Sequence, residues 1–241
     1  MDLLVVWKNV DEFQPYSIIV IFDSQSSKNS NLKIDKNYKQ NRADYTNVAE
    51  DDNPFSQLPL IKKALKYLNI CFLEVNNYEA DDYIASIINN YRDNKYIIVS
   101  TDYDFIQLVS NNTFLYVPRG KNSVLYTPDE VIKKYSIPSS EFVIFKSLVG
   151  DKSDNIRGVR GIGNISAAKI LNYGSIQNYI NANPDSKTSK LLISNKEIIS
   201  KNQKLICMIN NIDTSIITFN KLSKKIFTFK TYEIIEKIGE R

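Results

Sequence analysis

Residues 17–23 read SIIVIFD, and this stretch decides the fold class of the chain. A short apolar run that is rich in β-branched side chains and ends at Asp23 predicts a buried strand of a parallel sheet. Residues 80–91 carry apolar side chains at helical spacing and predict a helix. Further strands are predicted at residues 70–75, 96–100 and 113–117. Strands that alternate with helices predict an α/β fold with a mostly parallel central sheet flanked by helices.

The second half of the chain has a helical pattern. Thr127 at the N-cap, Pro128 at the first helical position and Glu130 two positions further on predict a helix start. Further helices are predicted at residues 141–149, 164–173 and 197–211, the second of them ended by Gly174. We therefore divide the chain into an α/β core over residues 1–126 and a helical region over residues 127–241.

The charge of the chain is unevenly distributed. Its 241 residues are enough for one large domain or two small ones, and the net charge is +4. Residues 181–241 hold 11 Lys and Arg against 6 Asp and Glu, whereas residues 1–180 hold 20 against 21. The acidic part is suited to metal ions and the basic part to an anionic partner. A solvated lysine-rich surface is the alternative explanation for the basic part.

The chain contains no histidine. This excludes His-based acid–base chemistry, Ser-His-Asp and Cys-His nucleophiles and His-ligated zinc. Cys71 and Cys207 are far apart in sequence and lie in apolar surroundings, so we expect ordinary core residues rather than a disulfide or a metal site. No apolar run reaches membrane-spanning length and no signal peptide is visible, which predicts a cytoplasmic, reducing setting.

Eight carboxylates stand where the predicted structure changes from one element to the next. They are Asp23, Glu79, Asp81, Asp82, Asp102, Asp104, Asp151 and Asp154. Because ligands of a parallel sheet collect beyond the carboxyl ends of its strands, we expect these side chains to converge. Oxygen ligands without His or Cys favour two Mg²⁺ or Mn²⁺ ions over zinc. Helix capping and surface turns are the alternative explanation for each group taken alone.

Residues 150–163 read GDKSDNIRGVRGIG and combine a pair of carboxylates with a glycine-rich turn. Asp151 and Asp154 stand three residues apart, and a turn punctuated by glycines and carrying Arg157 and Arg160 follows at once. Carboxylates of this kind suit a divalent metal, and a glycine-rich turn with arginines suits a phosphate backbone. The stretch therefore predicts a metal site beside a nucleic-acid contact.

Five stretches in this order resemble the 5′ nuclease or flap endonuclease family, which includes bacteriophage 5′–3′ exonucleases and the 5′-nuclease domain of bacterial DNA polymerase I. The stretches are residues 20–23, 38–42, 78–82, 100–108 and 150–163, and the resemblance extends over residues 17–212. It implies a PIN-like 5′ nuclease fold and a metal-dependent, structure-selective 5′–3′ exonuclease or flap endonuclease. Such an enzyme hydrolyses DNA phosphodiesters by a two-metal mechanism in replication and repair.

The resemblance also implies roles for individual residues. The first metal site would use Asp23, Glu79, Asp81 and Asp82, and the second would use Asp102, Asp104, Asp151 and Asp154. Lys39 and Arg42 match the basic pair at the base of a helical arch, here residues 24–60, and would polarise the scissile phosphate as catalytic residues. Tyr38 would stack on a base near the cut, with ordinary packing as the alternative.

Residues 150–174 resemble the helix–two-turn–helix element of the same family. That element holds duplex DNA through backbone amides and basic side chains without reading sequence, and it binds K⁺ through carbonyl groups. The residues expected to contact DNA here are Arg157, Gly158, Arg160, Gly161, Gly163 and Lys169, of which the basic ones would otherwise be plain surface residues. The expected partner is DNA with 5′ flaps or 5′ ends, bound by a monomer that requires no protein partner.

The start of the chain departs from the family. The family begins with a strand that ends in an Asp ligand, whereas residues 1–8 (MDLLVVWK) match the helix before the second family strand. We therefore expect a truncated or naturally short chain whose sheet lacks a central strand and whose first metal site lacks one ligand, and we assign no role to Asp2. Residues 43–59 are also more acidic than an arch requires.

Two alternatives to an active 5′ nuclease follow. The first is a catalytically impaired, truncated relative that binds branched DNA without cutting it. The second is a related metal-dependent ribonuclease, which is weaker because that class lacks the glycine-rich element that binds duplex DNA.

Overall fold

The computed structural model describes residues 2–7, 15–23, 34–35, 38–40, 54–76 and 78–222. Arg42 and most of the stretch predicted to form an arch lie outside these residues. In the described parts of the chain, no helix is both long enough and apolar enough to cross a membrane.

A six-stranded sheet forms the centre of the N-terminal half. Its strands are β1 (Asp2–Trp7), β2 (Ser17–Asp23), β3 (Cys71–Val75), β4 (Lys95–Val99), β5 (Thr113–Val117) and β6 (Val124–Tyr126). The spatial order is β3-β2-β1-β4-β5-β6. β2, β3, β4 and β5 run in one direction, and β1 and β6 run in the other. The predicted α/β class and the four predicted strands are confirmed.

The position of β1 corrects the expectation that the sheet lacks a central strand. Asp2–Trp7 is a strand rather than a helix, and it pairs antiparallel with both β2 and β4. Its sequence explains this, because an apolar run with two valines and a tryptophan suits a strand flanked on both sides. The register sets Asp2 opposite Ile21, so β1 begins at the sheet edge where β2 and β4 end.

The core lies between the sheet and its helices. Ile19, Ile21, Ile98 and Leu115 on the strands are fully buried. The helices are α1 (Leu58–Tyr67), α2 (Ala80–Asn90), α3 (Pro128–Tyr135), α4 (Phe142–Val149), α5 (Asn164–Leu171), α6 (Ile176–Ala182), α7 (Lys187–Ser194) and α8 (Lys196–Ile206). Burial of each such aliphatic side chain contributes about 1.5–3 kcal/mol, which anchors the strand ends that carry the candidate site.

The predicted helices of the second half are confirmed, and α5 and α8 end earlier than expected. α3 begins as predicted, because the Thr127 hydroxyl accepts a hydrogen bond from the Glu130 amide. α8 ends at Ile206 instead of continuing to residue 211. The next residues instead run beside α2, where the Asp82 carboxylate accepts the Ile209 amide at 2.7 Å.

Sequence analysis missed α6 and α7. Each has a serine N-cap whose hydroxyl accepts a hydrogen bond from the amide three residues later, Ser175 from Asn178 and Ser186 from Ser189. These serines were the signal that could have revealed the two helices.

Candidate metal centre

Two strand ends deliver the first carboxylates to one edge of the sheet. β2 ends at Asp23, whose Oδ1 accepts the Ala80 amide at 2.8 Å. This hydrogen bond joins the end of β2 to the start of α2. Asp102 follows β4, and its Oδ1 accepts the Asp104 amide at 2.8 Å, so the capping role considered for Asp102 is present. The chain turns at this edge and brings Asp104 inward.

The first group consists of Glu79, Asp81 and Asp82 at the start of α2. The Glu79 side chain does not cap the helix. Its Oε2 lies 2.5 Å from the Lys39 ammonium instead, and both side chains are buried. Burial alone would lower the pKa of Lys39, but the carboxylates of Glu79 and Asp81 outweigh it and raise that pKa. Lys39 is therefore a permanent cation inside the site.

The carboxyl groups of α2 are strongly affected by burial. Burial, with the nearby Glu79 and Asp82 charges, raises the pKa of Asp81 well above its usual value. Burial likewise raises the pKa of Asp82 to about 6, against the opposing hydrogen bond from the Ile209 amide. Crowded carboxylates that resist ionisation are a chemical sign of a site that accepts cations.

The second group consists of Asp104, Asp151 and Asp154. One carboxylate oxygen from each of them lies within 4.8 Å of the others. Burial raises the pKa of Asp104 to about 7, although the Lys146 ammonium opposes this shift. For Asp151, hydrogen bonds from Lys146 and Ser153 outweigh the effect of burial and lower the pKa. Three converging buried oxygens match the ligand arrangement of a single cation.

The two groups are neighbours. The Lys39 amide donates to the Asp154 carbonyl at 3.0 Å, which joins the first group's lysine to the second group's turn. A cavity of about 170 Å³ is lined by Glu79, Asp81, Asp82 and Asp104. Its other wall is formed by residues 204–209, a contribution that sequence analysis missed because nothing local marks that segment as part of a site.

These residues fit divalent metal ions. Asp104 Oδ1 is buried and, among the described residues, accepts no hydrogen bond of good geometry, although the Lys146 ammonium lies 3.0 Å from it. The donor set is made of carboxylates, which suits Mg²⁺ or Mn²⁺ and disfavours zinc. The structure therefore places six of the eight carboxylates in two adjoining groups. Asp23 accepts the Ala80 amide at the start of α2, and Asp102 accepts the Asp104 amide.

The turn after the second group depends on two glycines that face each other. β7 (Gly150–Asp151) pairs antiparallel with β8 (Ile156–Arg157). A Cβ on Gly158 would lie 2.2 Å from the Val149 backbone, and one on Gly150 would lie 2.4 Å from the Gly158 nitrogen. Gly150 also has a φ of 85°. Only residues without a side chain allow this close approach, which sets Asp151 and Asp154 beside the exposed turn.

The predicted DNA-contacting residues lie on the surface of that turn, except for Lys169, which belongs to the last turn of α5. Val159 and Ile162 are buried and anchor it. The residues that are exposed or half-buried are Arg157, Gly158, Arg160, Gly161, Gly163 and Lys169. Gly163 is the N-cap of α5, so the turn leads directly into the first turn of that helix.

Tyr38 is more buried and Cys207 more exposed than the sequence predicted. Tyr38 is buried against Ile156, Leu205 and Ile206, so packing, the alternative to base stacking, describes its position here. Cys207 is exposed at the end of α8, so the prediction that both cysteines are core residues is wrong for it.

Comparison with known proteins identifies the family. Residues 3–136 match the model of the 5′-3′ exonuclease N-terminal resolvase-like domain, and residues 137–227 match that of the 5′-3′ exonuclease C-terminal SAM fold. The chain belongs to the 5′–3′ exonuclease family. The boundary between the two matched regions falls close to the change from sheet to helices.

Similar proteins are named 5′-3′ exonuclease or DNA polymerase I. It is 37% identical over 206 residues to a 5′-3′ exonuclease of Mycoplasma genitalium, a match that covers 81% of this chain and 68% of the relative. It is 29% identical over 251 residues to a 5′-3′ exonuclease of Aquifex aeolicus, covering 99% and 83%. A match to DNA polymerase I of Caldicellulosiruptor bescii, 28% identical, covers 97% of this chain but 28% of that protein.

Solved structures share the fold. A bacteriophage T5 flap endonuclease, crystallised as a pseudo-enzyme–product complex with DNA and metal ions, superposes with a TM-score of 0.67 at 22% identity and covers 92% of this chain and 84% of its own. The catalytic core of Rad2 in complex with DNA substrate superposes with a TM-score of 0.55 at 12% identity, covering 92% and 75%.

Proposed function

We propose that this chain is a metal-dependent, structure-selective 5′ nuclease that acts as a 5′–3′ exonuclease or flap endonuclease on DNA with 5′ flaps or 5′ ends. The observation that carries the proposal is the pair of adjoining carboxylate groups beside a buried lysine and a glycine turn with exposed basic side chains. Family membership and the fold shared with nucleases support it.

The carboxylates would hold two Mg²⁺ or Mn²⁺ ions. The first site would be formed by Asp23, Glu79, Asp81 and Asp82, and the second by Asp102, Asp104, Asp151 and Asp154. When bound, the ions would supply an activated water and would neutralise charge on the scissile phosphate. The protein's own contribution is to hold these carboxylates in place, which the hydrogen bonds from the Ala80 and Ile209 amides and from Ser153 favour.

Lys39 is the group of this chain that would act on the phosphate directly. Its buried ammonium remains charged and pairs with Glu79 of the first group, while its backbone amide donates to the Asp154 carbonyl of the second. A fixed positive charge at that point would stabilise charge developing in the transition state. Arg42 would join it in this catalytic role.

The glycine turn would hold the duplex. Backbone amides of residues 158–163 and the side chains of Arg157, Arg160 and Lys169 would contact phosphates, and carbonyl groups of the same turn would bind K⁺. In this proposal residues 1–126 form the nuclease core with an arch over residues 24–60, and residues 127–241 form the helical region with the helix–two-turn–helix at 150–174. A monomer in the cytoplasm would carry out the reaction.

Cleavage of a 5′-end-labelled DNA flap tests the proposal. Wild type, Asp151→Asn, Lys39→Met and the surface control Lys133→Met are compared in Mg²⁺ and in Mn²⁺. We expect metal-dependent cutting near the junction by wild type and Lys133→Met, and a loss of about 10²-fold or more in the other two. Binding of the flap without cutting by wild type would refute the nuclease and leave a protein that binds branched DNA.

A further inference from the structure

Lys146 lies inside the second carboxylate group. It belongs to the last turn of α4, and its ammonium lies 3.0 Å from Asp104 Oδ1 and is hydrogen-bonded to Asp151 Oδ2. The side chains of Lys146, Asp104 and Asp151 are 15%, 11% and 10% exposed, so water screens these charges poorly. The lysine therefore supplies positive charge at the point where three carboxylate oxygens converge.

Lys146 is hydrogen-bonded to Asp151 but makes only a charge contact with Asp104. Lys146 is within ion-pair distance of Asp104 Oδ1, yet among the described residues that oxygen accepts no hydrogen bond of good geometry. A charge contact without a hydrogen bond leaves the buried acceptor partly unsatisfied. Asp104 Oδ1 therefore keeps acceptor capacity that a divalent ion could use.

The lysine and a divalent ion compete for the same space. Mg²⁺ contacts carboxylate oxygens at about 2.0–2.1 Å, so an ion bound to Asp104 and Asp151 would lie where the ammonium now lies. We propose that the Lys146 ammonium is the built-in counter-ion of the metal-free second site, and that a divalent metal binds there by displacing it. This inference rests on the proposed metal-dependent function and adds a residue that sets metal affinity.

Lys146 would affect the second site differently in the absence and in the presence of metal. Without metal, Lys146 keeps the carboxylates of Asp104 and Asp151 together and limits their repulsion. With metal, the ion takes over that task, and the cost of separating Lys146 from its partners lowers the apparent metal affinity. Lys146 therefore stabilises the metal-free site and lowers its affinity for metal. It is a positioning residue rather than a catalytic one.

Calorimetric titration of Mn²⁺ into the metal-stripped protein, without DNA, tests this. Lys146→Met removes the competing charge, and Lys133→Met, whose lysine pairs with Glu130 on the surface of α3, is the matched control. We expect Lys146→Met to bind Mn²⁺ at the second site about tenfold more tightly than wild type, and the control to be unchanged. A lysine that merely orients the carboxylates would give the opposite result, because its loss would weaken binding.

The outcomes separate the two proposals. If wild type binds Mn²⁺ and Lys146→Met binds it equally or more weakly, the proposed displacement of Lys146 is refuted, whereas the proposed metal binding is supported. If neither binds Mn²⁺, both the metal-dependent function and the displacement are refuted.

A measurement on the wild type covers the case in which Lys146→Met does not fold. The ¹⁵N ammonium signal of Lys146 is assigned by its absence from Lys146→Arg, which keeps the positive charge. In the metal-free protein we expect a slowly exchanging signal, since the ammonium is buried and hydrogen-bonded. Mg²⁺ should shift or broaden it, and a signal that is unchanged at saturating Mg²⁺ would refute the displacement.

Discussion

Asp82 and Asp104 each have a raised pKa, about 6 and about 7, because burial penalises the charged form. In unfolded chains an aspartate has a pKa of 3.8. Between about pH 4 and pH 7 the metal-free folded state therefore binds more protons than the unfolded state. Asp151 behaves in the opposite way, but its lowered pKa places its effect below that window.

Asp81, whose pKa is also raised, adds to this effect, and we expect the metal-free protein to lose stability as the pH rises from 5 to 7 through Asp82 and Asp104. Each of the two groups contributes about 1.4 kcal/mol per pH unit while its folded form is protonated and its unfolded form is not. Urea unfolding in EDTA at several pH values measures this, and Asp104→Asn should flatten the dependence. A urea midpoint that rises between pH 5 and pH 7 would contradict the prediction.

At the scale of single elements, the contact between Gly150 and Gly158 decides the shape of the turn that carries the second carboxylate group. We expect Gly158→Ala to lower the free energy of unfolding by about 1–3 kcal/mol, since its Cβ would lie 2.2 Å from the Val149 backbone. Gly163→Ala is the control, because no atom lies within 4 Å of its added Cβ. Equal unfolding free energies of the two variants would show that the turn relaxes without cost.

The second element with a testable role is β1. Val5 pairs with Ile18 on one side and Ile97 on the other, so this residue lies in the middle of the sheet. Val5→Pro removes a ladder donor and should destabilise the fold by about 3 kcal/mol or more, whereas Val5→Ile keeps the donor. Both are compared by urea unfolding, and a Val5→Pro protein as stable as Val5→Ile would rule out a central β1.

At the scale of the whole molecule, residues 207–222 join the helical region to the sheet region. The Leu222 amide donates to the Tyr16 carbonyl at 2.9 Å, next to the start of β2. Ser86 of α2 is fully buried, and its hydroxyl accepts the Ile212 amide at 3.1 Å and lies 2.9 Å from the Asp82 carbonyl. The same segment supplies the amide that holds Asp82, so its attachment supports the site.

We expect Ser86→Ala to cost about 1–3 kcal/mol, because it leaves the buried Ile212 amide without its acceptor. Limited proteolysis should then cut residues 207–222 faster than in wild type. Ser194→Ala is the control, since that hydroxyl bonds to the Leu191 carbonyl on an exposed helix face. Cleavage of Ser86→Ala at the wild-type rate would show that the segment is held by other contacts.

The sequence alone determined the elements and the chemistry of this protein. Apolar runs and helical spacing are local patterns, so β2 to β5, α2, α4 and α5 could be predicted from them. Because side chains at the ends of strands of one direction meet at one sheet edge, the convergence of the carboxylates was also predictable. The absence of histidine restricted the ligands to oxygen.

Only the tertiary structure decided how these parts meet. The direction of β1 depends on the pairing of distant strands, which a run of six residues does not encode. The burial of Tyr38 against Ile156 and the contact of Lys146 with Asp104 each join residues that are more than forty positions apart in sequence. Such contacts form only when separate elements pack against each other. A local sequence pattern does not show which distant residues will be in contact.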